Sequence, residues 1–139
     1  MNANHKRMLM RGLLVAETHL QAVLTEFKSE TGNFILYSKI DDLDSEAKIR
    51  IRTHVNSMFN QIRDIKEIYE LKSNEKRSLK RIILGHLLEI WDTIEELGPK
   101  GMRSYGSMPQ TDQDDLTAII EKLVFQHEKI LKEVSSVNK

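Results

Sequence analysis

Cysteine is absent from this chain, which excludes disulfide scaffolds, thiolate zinc sites and cysteine nucleophiles together. Glycine is scarce: there are six, and three of them fall with both prolines between Leu97 and Leu116. Neither sign of charge is in excess, since 21 basic residues face 21 acidic ones. That balance argues against a surface aimed wholly at nucleic acid or an anionic membrane. No apolar run approaches the roughly 20 residues needed to span a bilayer. At the N-terminus Arg11 interrupts the apolar stretch and Glu17 follows it. Without a small-residue cleavage pattern no signal peptide is expected. The expectation is a cytoplasmic protein without a membrane role.

What is present favours helices. Aromatic residues make up 6% of the chain and charged residues 30%, a mix that suits helices better than sheets. The length, 139 residues, is that of one domain. A chain of this size can bury roughly two-thirds of the surface its unfolded form exposes, so it needs no metal or disulfide to fold.

Four segments carry the 3.6-residue apolar period, at about residues 5–28, 45–71, 74–97 and 112–134. The first aligns Leu9, Leu13, Ala16, Leu20, Val23, Leu24 and Phe27; the second aligns Ile51, Val55, Met58, Ile62, Ile65 and Tyr69. Asp44 is a plausible N-cap for the second and Ser73 for the third. Gly98-Pro99 stops the third helix. Thr111 and Asp114 have the spacing of a capping box for the fourth, with aspartate in place of glutamate.

Between the first two helices, Gly32-Asn33 breaks the pattern and Phe34-Ile35-Leu36-Tyr37 forms a short apolar run. A lone strand there lacks a partner, so a short helix or a packed crossing segment is expected. The economical arrangement is an all-α, antiparallel up-and-down four-helix bundle, one domain over residues 1–139 with that extra segment between helices 1 and 2.

The third helix is apolar over about two-thirds of its circumference, whereas one bundle core needs a stripe little wider than about 100°. The excess is expected to pack against the Phe34–Tyr37 segment or against a second subunit. Leu84, Leu88 and Trp91 are the expected anchors, with Phe125 of the fourth helix. A homo-oligomer or another protein partner is expected, and no cofactor.

Candidate chemistry is sparse. Glu-x-x-His, required on two helices by di-iron bundles, does not occur; His86-Leu87-Leu88-Glu89 reverses it. His127 lies among Ile120, Leu123, Ile130 and Val134, near the middle of an apolar stripe. It is the weak candidate for a metal ligand, with a satisfied core histidine as the ordinary alternative. Lys76, Arg77, Lys80 and Arg81 cluster near the start of the third helix and could meet phosphates.

"RIILGH" places Arg81 five positions before His86. This resembles the Arg-x(4–6)-His signature of the HEPN superfamily, all-helical bundles that include RNA-cleaving toxins. The resemblance implies cleavage of an RNA phosphodiester, with Arg81 stabilising phosphate charge and His86 assisting proton transfer. Ile82 stands where that family often has a polar residue. The ordinary reading is a solvated face, and the chain is expected to be a non-catalytic interaction protein, with nucleic-acid contact as the alternative.

The connection over residues 98–111 lacks the P-loop glycine-lysine pattern. Its length exceeds the two to eight residues usual between bundle helices. Met102 and Tyr105 are expected to close one end of the bundle.

Overall fold

The computed structural model describes residues 1–72 and 75–136. It is mostly helical, 76% of the described residues, which form five helices and one two-stranded sheet. The chain divides into two compact units, Met1–Asn74 and Glu75–Lys139. No helix among the described residues is long and apolar enough to cross a membrane.

In the first unit, α1 (Ala3–Lys28) packs against α2 (Ser45–Ile68). The start of α1 is closed by a capping box: the Asn2 side chain accepts from the His5 amide, and His5 Nδ1 accepts from the Asn2 amide. The expected Asp44 cap is present, its carboxylate accepting from the Ala47 amide at 2.7 Å. Arg52 lies over the Phe27 ring at 5.3 Å, so the start of α2 meets the end of α1 and the two run antiparallel.

The second helix ends at Ile68 rather than Leu71, and the stop signal is not a glycine. Glu70 adopts a left-handed conformation with φ 51°. The Leu71 amide donates to the Lys66 carbonyl and the Glu70 amide to the Glu67 carbonyl, the two bonds of a Schellman closure. That closure turns Leu71 inward, where it is buried.

The Phe34–Tyr37 segment is neither a helix nor a packed crossing. β1 (Gly32–Asn33) pairs antiparallel with β2 (Ser38–Lys39), so each strand finds its partner locally, in a hairpin. The Phe34 and Tyr37 rings stack at 4.7 Å, while Ile35 and Leu36 at the tip stand almost wholly in solvent. Two ion pairs fasten the base of this hairpin. Lys39 pairs with Glu26 at 2.7 Å and also bonds Ser29; Lys48 pairs with Asp41. The Lys39 ammonium, by its hydrogen bond and then its charge, holds the Glu26 carboxyl below the usual glutamate range. The hydrogen bond from Lys48, followed by that from the Leu43 amide, does the same for Asp41.

In the second unit, α3 (Leu79–Glu96) packs against α5 (Gln110–Ser136). The third helix begins at Leu79, not near residue 74, because the Ser78 hydroxyl takes the Arg81 amide and caps it there. The Ser73 cap lies outside the described residues. At the other end Gly98-Pro99 does stop α3, and it also starts α4 (Pro99–Met102), with Pro99 in the first turn. A 3-10 turn, Arg103–Tyr105, follows.

This short helix touches both α3 and α5, so the two long helices run antiparallel. It sits so close to the end of α3 that a Cβ on Gly101 would overlap the Glu96 backbone. Met102 is half-buried, but Tyr105 is 87% exposed and closes nothing: the 3-10 turn carries it past the helix end into solvent. The last long helix starts at Gln110, before Thr111, so Thr111 lies inside the first turn instead of capping it. The Pro109 carbonyl accepts its first backbone bond, from Gln113.

Candidate interaction surface

The α3–α5 hairpin closes along a narrow seam. On α3, Leu87 and Ile94 are buried and Ile83, Leu84 and Trp91 half-buried. On α5, His127 is buried and Leu116, Ile120, Val124 and Val134 half-buried. These positions recur at steps of three and four, the spacing that keeps one helix face toward a neighbour.

His127 is buried in this seam. Its Nε2–H donates to the Leu87 carbonyl at 2.7 Å, and its ring lies 5.6 Å from the Trp91 ring, tilted by 41°. That bond places the proton on Nε2. Nδ1 is buried and makes no hydrogen bond among the described residues. No group of three histidine, aspartate or glutamate side chains placed to hold a metal ion occurs among the described residues.

One seam cannot cover both helices. Taking 100° per residue, Leu79, Ile90 and Leu97 lie about 60° to 80° round α3 from Leu87, all in the same sense. On α5, Ile119, Leu123 and Ile130 lie about 40° to 80° round from His127, also in that sense. In an antiparallel pair, equal rotations on the two helices emerge on the same side. The six residues therefore share one flank of the hairpin. All six are exposed: Leu79 to 70%, Ile90 to 47%, Leu97 to 38%, Ile119 to 56%, Leu123 to 46% and Ile130 to 51%.

The anchors expected from the sequence are distributed differently. Leu84 and Trp91 are half-buried toward the seam. Leu88, 62% exposed, stands on the opposite flank from the six. Phe125, 57% exposed, lies on the back of α5, where the Lys129 ammonium covers its ring at 4.4 Å. Sequence periodicity identified the apolar residues of α3 and α5 but not which flank stays open, since that depends on which residues form the seam.

The basic cluster is exposed but does not form one helical face. Lys76 and Arg77 lie in the non-helical segment before α3, and Lys80 and Arg81 in its first turn. Arg81 and His86 are both exposed. Their spacing places them about 140° apart round α3, so they open to different sides and do not converge on one phosphate.

No family model matches this chain, and no curated protein or solved structure matches it. Its own surface chemistry carries the functional reading.

Proposed function

We propose that this chain is a non-catalytic helical interaction protein that associates with a second copy of itself through the open flank of the α3–α5 hairpin. The observation that carries this reading is the surface left uncovered. The six apolar side chains of that flank are 38% to 70% exposed. Among the described residues only Val55, Leu71, Leu87 and Ile94 are buried apolar side chains.

Exposed apolar surface on this scale is the mark of a binding face. Leu79, Ile90 and Leu97 with Ile119, Leu123 and Ile130 supply a continuous one. Two such hairpins laid face to face make a four-helix bundle, the arrangement in which long amphipathic helices bury their stripes. Leu88 and Phe125 would then rim the assembly rather than anchor it.

Light scattering at two protein concentrations tests this reading. The wild-type chain is expected to show a mass of at least two copies at the higher concentration. A variant carrying Ile90→Lys and Leu123→Lys is expected to stay a monomer with its helical circular dichroism retained. A wild-type monomer at both concentrations, or a double variant that assembles like wild type, overturns it.

A further inference from the structure

The β-hairpin of the first unit presents a second kind of surface. The Phe34 amide donates to the Tyr37 carbonyl at 2.8 Å, which leaves Ile35 and Leu36 as the two residues of the turn. They are 98% and 93% exposed. Two-residue turns favour Asn, Asp and Gly, whose backbones suit the tight reversal. An isoleucine–leucine turn gives up that advantage and sets two aliphatic side chains in water. Neither turn chemistry nor packing accounts for the pair.

The hairpin is braced behind this tip. The Phe34 and Tyr37 rings stack at 4.7 Å, and the Ser38 hydroxyl donates to the Asn33 side-chain oxygen at 2.7 Å, from one strand to the other. At the base Lys39 reaches Glu26 of α1, and Lys48 of α2 reaches Asp41 just beyond β2. Polarity therefore changes in order along the hairpin: two aliphatic side chains, two aromatic rings, Asn33 and Ser38, then paired charges. Residues 31–38 carry no charge at all.

That order matches a lipid–water boundary read from the acyl chains outward. Aliphatic groups favour the hydrocarbon, amphipathic rings the headgroup level, and charges the water. A groove in a folded protein imposes no such ordering by depth. Charge then narrows the kind of membrane. Lys39 and Lys48 are taken up by carboxylates, and Glu30 and Asp42 line the cleft at the hairpin base beside them. The base holds no cationic excess to seek an anionic surface, so the fit is to a zwitterionic one.

We propose that this hairpin is a shallow membrane-surface contact, in which Ile35 and Leu36 enter the acyl boundary of a zwitterionic bilayer while Phe34 and Tyr37 rest at headgroup level. No helix among the described residues is long and apolar enough to span a membrane, and none is needed, because the tip enters only about 5–10 Å. Attachment by so few side chains is weak and reversible, of the marginal order of a single acyl chain. The contact uses residues of the first unit alone, none of which belongs to the open flank of the α3–α5 hairpin.

Flotation of the full chain with phosphatidylcholine vesicles tests the proposal. Wild type is expected to float, and a double variant with Ile35→Asn and Leu36→Gly to bind at least about tenfold more weakly. That variant installs a favoured turn, so its hairpin and its helical circular dichroism are expected to be retained. Lost binding with an intact fold separates a contact role from a structural one. Because the chain has no cysteine, Leu36→Cys provides a single thiol for an environment-sensitive fluorophore. Its emission is expected to shift to the blue when vesicles are added, while the same dye on Thr31→Cys stays unshifted.

A wild-type chain that stays in the aqueous phase, or a double variant that floats like wild type, overturns the proposal. So does binding that requires anionic lipid and vanishes with salt, which would assign the contact to cations such as Lys76 and Arg77. If the double variant instead lowers the sedimented mass of the chain without vesicles, the tip docks on a second copy and the inference falls.

Discussion

His127 Nε2 lies 2.7 Å from the carbonyl oxygen of Leu87, 40 residues earlier in the chain. This bond joins the middle of α5 to the middle of α3, and the Trp91 ring packs beside it. The one buried polar side chain among the described residues thus registers the two helices. It also decides which apolar residues are consumed in the seam and which remain outside.

Replacing His127 separates its packing from its polarity. His127→Ala removes both the ring and the hydrogen bond and is expected to cost about 2–4 kcal/mol. His127→Phe keeps a ring against Trp91 and removes the unpartnered Nδ1, so its expected cost is smaller, about 1 kcal/mol. Urea unfolding followed by Trp91 fluorescence checks the order; a phenylalanine variant as unstable as the alanine one would show that the hydrogen bond dominates.

Two glycines of the second unit should respond oppositely to alanine. Gly101 sits against the Glu96 backbone with no room for a Cβ, so Gly101→Ala is expected to destabilise by about 1–3 kcal/mol through overpacking. Gly85 lies inside α3 with nothing within 4 Å of an added Cβ, and Gly85→Ala is expected to stabilise by about 1 kcal/mol. Thermal melts of the two variants decide the pair of signs.

Glu70 holds a conformation that favours glycine, with φ 51°. Glu70→Gly relieves that strain while leaving both closing backbone bonds possible, and is expected to stabilise by about 1 kcal/mol. Leu71→Ala empties the buried site that the closure creates and is expected to cost about 2–4 kcal/mol. Denaturant midpoints of these variants test the motif from both directions.

Acid should release the β-hairpin before the helices. Glu26 and Asp41 both have carboxyls held below their ordinary values by Lys39 and Lys48 respectively. A carboxyl lowered on folding stabilises the folded form above its unfolded value, and that contribution disappears as pH falls through the lower folded value. The anchors are therefore expected to hold at neutral pH and to fail below about pH 4. Amide shifts of Gly32 to Lys39 followed through an acid titration show this; Glu26→Gln is expected to loosen the hairpin already at neutral pH.

Local chemistry was read from the sequence most reliably where a single residue carries it. Asp44 caps α2 because a short carboxylate reaches its own third amide, and Gly98-Pro99 ends α3 because proline lacks the donor and clashes with the preceding turn. The reading failed where two stretches had to find each other. Gly32–Asn33 and Ser38–Lys39 are too short to announce themselves as strands, yet each supplies the other's partner. The end of α2 was misplaced because glutamate, not glycine, occupies the left-handed position.

The sequence by itself determined that the chain is helical, where its long helices lie to within a few residues, and that α3 is more apolar than one seam can use. Backbone propensity, capping and the 3.6-residue period act within a turn or two, so they are written locally. Which apolar residues remain exposed was decided by the tertiary structure alone. Leu84 and Trp91 turn toward α5, while Ile90, Leu97, Leu123 and Ile130 stay open. The hydrophobic effect rewards burial without direction, so the register set by packing, with His127 against Leu87, selects the flank that is left for a partner.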